Sequence, residues 1–369
     1  LPTKPMKGKP MHIHLDNKME IVPTKVLTAR QIPVHRRRTA AAVINQAIKD
    51  GIIKKVTGCT DWCSPAMFVT KPDGIGLRLV CDFTGLNKYV QRPTHPFPSS
   101  NDIISAIAPS SCFFAKLDAV QGYHQVPLDD ESAALTTFLL PCGRYCYTRA
   151  PMGLSCSSDE WCRRSDAALQ GIPGIFKLVD DILVQASSLE QLEERLVAVL
   201  AACRESQITI SVRKLEIKTT VKFGGFVVSQ AGVKPDGDRL KGISDFPAPK
   251  NTTALRSFLG LVNQLNTFVP DLAQLTYNIR GLLKKNVAFN WLPEHQAEFE
   301  TAKSRLTAAL SRVHFDQSKA TELYTDASRL HRIGYALTQR SSDGTLCIVS
   351  CGSRSLSPAE ANYATVELE

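Results

Sequence analysis

Asp180 and Asp181 stand between the apolar runs Ile175-Phe176-Lys177-Leu178-Val179 and Ile182-Leu183-Val184, where an ordinary buried strand would carry no charge. Side chains alternate faces along a strand, so two adjacent carboxylates converge on one point only where the chain turns. The pair is therefore expected at a hairpin tip. Close carboxylates repel and burial raises their pKa values, unless a divalent cation neutralises them. Upstream, the apolar run Phe113-Phe114-Ala115-Lys116-Leu117 ends in a third carboxylate, Asp118. Three carboxylates around two magnesium ions can activate a 3′-hydroxyl, stabilise a leaving pyrophosphate and clamp an in-line displacement. The chemistry suggested is nucleotide addition. Taken alone, an Asp-Asp pair is more often a solvated turn.

The elements that would position these groups read as a mixed α+β domain. Residues 1–32, rich in proline, read as an extended arm, and an Ala-rich helix follows to about Asp50. Residues 66–71 and 77–83 read as strands joined through Pro72-Asp73-Gly74-Ile75-Gly76, with Lys71 and Arg78 flanking the loop. After the aspartate hairpin, Leu189, Leu192, Leu196, Val199, Leu200 and Cys203 recur at helical spacing. Beyond Gly232 the pattern turns helical. Its clearest helix has Thr252 or Thr253 as N-cap and an apolar stripe of Leu255, Phe258, Leu259, Val262 and Leu265. Another helix is expected over 294–310, and strands return at 321–326 and 333–337.

The chain has 369 residues, 43% of them hydrophobic, which excludes wholesale disorder and calls for more than one domain. No apolar run reaches membrane-spanning length and no signal peptide is readable, so an intracellular protein without a membrane partner is expected. Eleven cysteines without a secretory signal argue for reduced thiols. Cys59/Cys63, Cys142/Cys146 and Cys347/Cys351 lack the companions of a zinc finger. His12 and His14 have no acidic or cysteine companion nearby in sequence and read as structural or solvated. Residues 1–100 hold 16 Lys and Arg against 6 Asp and Glu, whereas the remainder holds 28 against 29. That cationic third suits a phosphate backbone, or simply a soluble surface.

Set in order, Phe114-Ala115-Lys116-Leu117-Asp118-Ala119-Val120-Gln121-Gly122-Tyr123-His124-Gln125, Pro151-Met152-Gly153-Leu154 and Leu178-Val179-Asp180-Asp181 resemble motifs A, B and C of a reverse transcriptase. Leu77 to Phe83 with Leu86-Asn87, Phe223-Gly224-Gly225-Phe226, and Leu255 to Asn263 extend the resemblance to the gypsy-type LTR retrotransposon polyprotein, over nearly the whole chain. The resemblance implies an α+β right-hand polymerase followed by part of a ribonuclease H-like α/β domain. Its divisions are an N-terminal arm (1–32), fingers and palm (33–230), a helical thumb or connection (231–312) and the ribonuclease H-like part (313–369). It also implies RNA-directed DNA polymerase activity on an RNA or DNA template-primer, with dNTPs as substrates and Mg2+, or Mn2+, as cofactor.

By the same resemblance, Asp118, Asp180 and Asp181 are the catalytic metal ligands. Lys71 and Arg78 grip the incoming triphosphate, Tyr123 is the steric gate against a ribose 2′-hydroxyl, and Gly153 lets backbone pass close to template or nucleotide. Phe223, Gly224, Gly225 and Phe226 form the primer grip, and Lys214 matches a lysine that serves as general acid toward pyrophosphate. In the ribonuclease H-like part, Asp326 is the first metal carboxylate. Ser357-Pro358-Ala359-Glu360 is a capping box that should open a helix bearing the second, Glu369. The later carboxylates would lie beyond Glu369, so this nuclease is expected to be inactive as written. The start without methionine and the stop inside a helix suggest a polyprotein segment, flanked by protease, the rest of the ribonuclease H and integrase, in the cytoplasm or in virus-like particles. Departures from the family pattern are Leu178 for the usual tyrosine, Cys156-Ser157-Ser158-Asp159-Glu160 for an Asn-Ala-Pro stretch, and Thr84 for a frequent arginine. A decayed element that binds nucleic acid without catalysis is the alternative.

Overall fold

A computed structural model of the chain describes residues 4–72, 74, 76–308, 311–328, 332–357, 359–364 and 367. It divides into two compact units, one of residues 1–97, 116–182 and 193–215, the other of residues 98–115, 183–192 and 216–369.

In the first unit the proline-rich N-terminal stretch is tied down rather than free. Met6, Met11 and Ile13 are buried, and single bridges join Met11 to Leu128, Leu15 to Val90 and Lys25 to Cys63. The Ala-rich stretch is helical over Arg37–Lys49, ending before Gly51 at φ +63°. A five-stranded sheet follows, in the order Ile53–Lys55, Gly143–Tyr147, Phe138–Leu140, Ser64–Thr70, Leu77–Cys81. Ser64–Thr70 and Leu77–Cys81 are antiparallel, with Val69 opposite Arg78, so the expected hairpin is present. Phe138 and Tyr147 meet at 5.2 Å between ring centroids in its apolar face. Aromatic cross-strand neighbours of this kind hold a sheet's register.

The aspartates ride on a different sheet, in which Asp181–Ala186 lies between Ile175–Leu178 and Phe113–Asp118. Phe114, Ala115, Leu117, Leu183 and Val184 are wholly buried. Burying that many apolar side chains fixes the strands, at about 25 cal/mol per Å² removed from water. The polar ends of the strands are thereby held in place. The helix Ser155–Leu169 is pinned through charge: buried Asp159 accepts two hydrogen bonds from Arg92, at 2.9 and 3.0 Å, and a third from the His95 amide.

In the second unit, Thr220–Phe223, Phe226–Ser229 and Gly232–Pro235 form an antiparallel meander. The apolar stripe Leu255, Phe258, Leu259, Val262 and Leu265 is buried as its periodicity predicts. The N-cap is neither threonine: Asn251 Oδ1 accepts from the Ala254 amide at 2.8 Å, and Thr252 already lies in the first turn. Asn251 has the extended backbone of an N-cap, at φ −161° and ψ 170°, from which its side-chain oxygen reaches that amide, whereas Thr252 is already helical. The later helix covers Pro293–Thr307, and Thr321–Ser328, Arg332–Arg340 and Leu346–Ser355 form an antiparallel sheet. Ser357 and Glu360 make the reciprocal bonds of the capping box, but the described residues that follow form only a 3-10 turn over Glu360–Asn362. Glu369 lies outside the described residues.

Candidate active site

The aspartate pair sits where the alternation of a strand is broken. Ile175–Leu178 and Asp181–Ala186 are joined by the two-residue turn Val179-Asp180, and Val179 has φ +55°. A β-branched residue in the left-handed region costs about 1–2 kcal/mol. Both turn carbonyls are gripped: the Trp161 indole Nε1 donates to Val179 O at 3.0 Å, and the Ala119 amide donates to Asp180 O at 2.9 Å. The second bond ties the turn to the residue that follows Asp118.

The electrostatics show Asp118 and Asp181 acting on Asp180. Burial, then the charges of Asp118 and Asp181, push the Asp180 carboxyl up to about 6. Lys177 and Lys214 pull the other way. Asp118 receives both of its bonds from Lys214 Nζ, at 3.0 and 2.9 Å, and Asp181 pairs with Lys116 at 3.4 Å. Asp180 Oδ1 is buried with no hydrogen-bond partner among the described residues. No group of three or more His, Cys, Asp or Glu side chains that could hold a metal ion occurs among the described residues. To chelate a cation, Asp118 and Asp181 would have to turn from their lysines toward Asp180. The donor set is nonetheless the hard-oxygen type that suits Mg2+, and the orphaned Oδ1 is a ready lone pair.

Gly122 lies against this carboxylate. A Cβ there would stand 2.2 Å from Asp180 Oδ1 and 2.6 Å from Trp161 Cε2, closer than real contacts allow. Tyr123, next in sequence, is half-buried, and its hydroxyl pKa is raised by burial and then by Asp180. Gly153 has φ +88° and is exposed, while a Cβ on it would meet its nearest neighbour, Cys81 O, at 3.4 Å. The left-handed backbone therefore demands glycine more than crowding does. Asn87 braces it, donating to Gly153 O at 2.8 Å and accepting from the Ser155 amide at 2.9 Å.

Lys71 and Arg78 are both exposed on the hairpin, and neither forms an ion pair among the described residues. His12 and His14 are exposed, and His12 Nδ1 lies 2.7 Å from Asp129, an acidic companion 117 residues away in sequence. In the other unit, Phe223 and Phe226 are 1% exposed, so their rings belong to the core, and Gly224 and Gly225, at φ +56° and +81°, form the hairpin tip. Arg239 lies beneath it, donating to Gly224 O and stacking on the Phe226 ring at 4.5 Å. Asp326 is exposed, 3.6 Å from Arg332, and borders a groove of about 400 Å³ with Thr325, Tyr335 and Arg354. All eleven cysteines are free. No helix among the described residues is long and apolar enough to cross a membrane.

Trp161 and Gly122 are the residues whose part in the site sequence reasoning missed. The Gly122 signal was present in the Gln-Gly-Tyr string, whereas nothing in the sequence ties Trp161 to Val179.

Residues 69–228 match the reverse transcriptase (RNA-dependent DNA polymerase) family, and residues 291–369 match the RNase H-like domain found in reverse transcriptase. The chain carries a reverse transcriptase domain followed by an RNase H-like domain. Among its relatives are the Tf2-3 transposon polyprotein of Schizosaccharomyces pombe, 31% identical over 376 residues, and the Tf2-7 polyprotein of the same yeast, 30% identical over 372. Each alignment takes in 99% of this chain, which spans about a quarter (27%) of the length of those polyproteins. The fold of this reverse transcriptase chain resembles the foamy viral protease-reverse transcriptase dRH solved in complex with double-stranded DNA. There the TM-score is 0.85 at 22% identity, over 99% of this chain and 63% of that one. A second foamy viral protease-reverse transcriptase, solved with an RNA/DNA hybrid, gives a TM-score of 0.81 at 22% identity, over 99% of this chain and 48% of that one.

Proposed function

We propose that this chain is the RNA-directed DNA polymerase part of a retrotransposon polyprotein, extending a primer with dNTPs on an RNA or DNA template. The observation that carries the reading is the gripped Val179-Asp180 turn, which presents a buried carboxylate oxygen with no hydrogen-bond partner among the described residues, within reach of the charges of Asp118 and Asp181. Asp118, Asp180 and Asp181 would hold Mg2+, or Mn2+ in its place. Bound there, the cations would activate the primer 3′-hydroxyl and neutralise charge on the transferring phosphoryl group.

The remaining roles belong to the chain's own side chains. Lys71 and Arg78, exposed and without a carboxylate partner among the described residues, would bind triphosphate oxygens, Arg78 as a fork and Lys71 as a point charge. The Tyr123 ring beside Asp180 would exclude a ribose 2′-hydroxyl. Gly153 would let nucleotide or template approach the backbone. Lys214, now held on Asp118, would donate a proton to the leaving pyrophosphate. The Phe223–Phe226 tip, with Phe223, Gly224, Gly225 and Phe226, would hold the primer in place for attack. The proposed divisions are the arm 1–32, fingers and palm 33–230, thumb or connection 231–312, and ribonuclease H-like part 313–369, with Asp326 and Glu369 as metal ligands of the last. Foamy viral relatives bound to double-stranded DNA and to RNA/DNA hybrid support a template-primer as partner. The other segments of the polyprotein are proposed as further partners.

The test is primer extension on a poly-ribonucleotide template with Mg2+. Wild type should extend the primer and Asp180→Asn should lose at least a thousandfold in rate while keeping template-primer affinity. Full extension by Asp180→Asn would refute the triad, and a wild type that binds template-primer but never extends it would favour a binding module.

A further inference from the structure

We infer that Trp161 is a positioning residue for the catalytic turn, an inference that rests on the polymerase reading above. Its indole is 1% exposed, and Nε1 donates to the carbonyl of Val179, the residue held at φ +55°. Left to itself a valine would leave that conformation. The next residue would then swing with it, because the Val179 peptide plane carries the amide of Asp180. The indole bond therefore supplies what glycine would supply in such a turn: a reason for the backbone to stay left-handed.

The same ring and the carboxylate both crowd Gly122. The Gly122 Cβ position lies 2.2 Å from Asp180 Oδ1 and 2.6 and 2.9 Å from Trp161 Cε2 and Cζ2, so any side chain there would meet both. The direct hold of Trp161 on the turn is its bond to the carbonyl before Asp180.

The helix that bears Trp161 is anchored on the preceding turn. Asp159 is buried under Arg92 and the His95 amide, and Glu160 accepts from Arg163 and from Arg164, the latter at 2.7 Å. Arg164 in turn donates to Lys9 O at 2.6 Å. This is the stretch in which the sequence departs from the Asn-Ala-Pro pattern. Of these charges, Asp159 and Arg164 tie the helix to residues outside it, through Arg92, the His95 amide and Lys9 O.

Trp161→Phe keeps an aromatic ring and deletes only the donor. The measurements are kcat and KM for dNTP in primer extension, and the affinity of the protein alone for Mn2+ by calorimetry, each in the wild-type and Val179→Gly backgrounds. With Val179 present, the substitution should lower kcat about tenfold with KM changed less than threefold, and weaken Mn2+ about tenfold, the scale of one buried hydrogen bond. With Val179→Gly, where no left-handed strain needs holding, it should change either quantity less than twofold. Equal losses in both backgrounds, or a loss confined to thermal stability, would overturn the inference. Should wild type neither bind Mn2+ nor extend a primer, the polymerase reading falls by itself. The Trp161 inference is then decided by hydrogen exchange of the Ala119 amide, which donates to Asp180 O. Exchange at least tenfold faster in Trp161→Phe upholds it, and unchanged exchange overturns it.

Discussion

Gly122→Ala is the smallest change that should disable the site, and its size follows from the distances. The new methyl carbon would stand 2.2 Å from Asp180 Oδ1 and 2.6 Å from Trp161 Cε2, whereas relaxed heavy-atom contacts lie near 3.5–4.0 Å. Something must therefore move by about 1 Å. The indole cannot yield easily, being 1% exposed and bonded to Val179 O, and the backbone of Gly122 sits in a 3-10 turn over Gly122–Gln125. The side chain of Asp180 is the part with freedom left. Overpacking of this kind costs about 1–3 kcal/mol of stability. A displacement of about 1 Å at a group that must orient reactants costs on the order of a hundredfold in rate. The assay is primer extension at a temperature where circular dichroism shows the variant folded, with a urea melt in parallel. The expected result is a rate lowered about a hundredfold in protein that remains native. A variant within twofold of wild type in rate and within about 0.5 kcal/mol in stability would refute the close-packing argument.

Other outcomes follow from single contacts. Arg92→Ala would leave Asp159, which is 1% exposed, with only the His95 amide, and should destabilise the protein by about 1.5–3 kcal/mol in a urea melt; Asp159→Asn in addition should recover part of that loss. Asn251→Ala removes the cap of Thr252–Asn263 and should cost about 1 kcal/mol, read in the same way, whereas Thr252→Ala should cost little. Burial, and then the Arg149 charge, depress the His124 pKa from 6.5 to about 4. The unfolded chain therefore binds this proton more readily than the folded one. Stability should be intact above pH 6.5 and fall as pH drops toward 4, by at most about 3 kcal/mol. His124→Gln should flatten that part of a pH-dependent melting series.

Much of the site was legible because its signals are local. A charge at the end of an apolar run, as at Asp118, or a pair between two such runs, as at Asp180 and Asp181, violates the pattern of a buried strand wherever it occurs. The apolar stripe of Thr252–Asn263 was equally plain, since burial of Leu255, Phe258 and Val262 follows from helical period alone. The N-cap was misplaced because Asn251, Thr252 and Thr253 are all competent caps, and only the backbone angle at Asn251 decides among them. The partner of His12 was not legible because it is Asp129, and no sequence window holds both.

The sequence by itself pointed to the kind of chemistry proposed, through three carboxylates and their order along the chain, and to strands and helices such as Phe113–Asp118 and Thr252–Asn263, through period and punctuation. What the tertiary structure decided is how those carboxylates are held. Lys214 was chosen for Asp118, Lys116 for Asp181, and the indole of Trp161 for the carbonyl of Val179. These pairings depend on which strand ends and helix faces meet, and that is set by packing of the whole apolar interior rather than by any local stretch of residues. A left-handed valine is unfavourable as an isolated residue, so its presence in the Val179-Asp180 turn is a property of the folded protein alone.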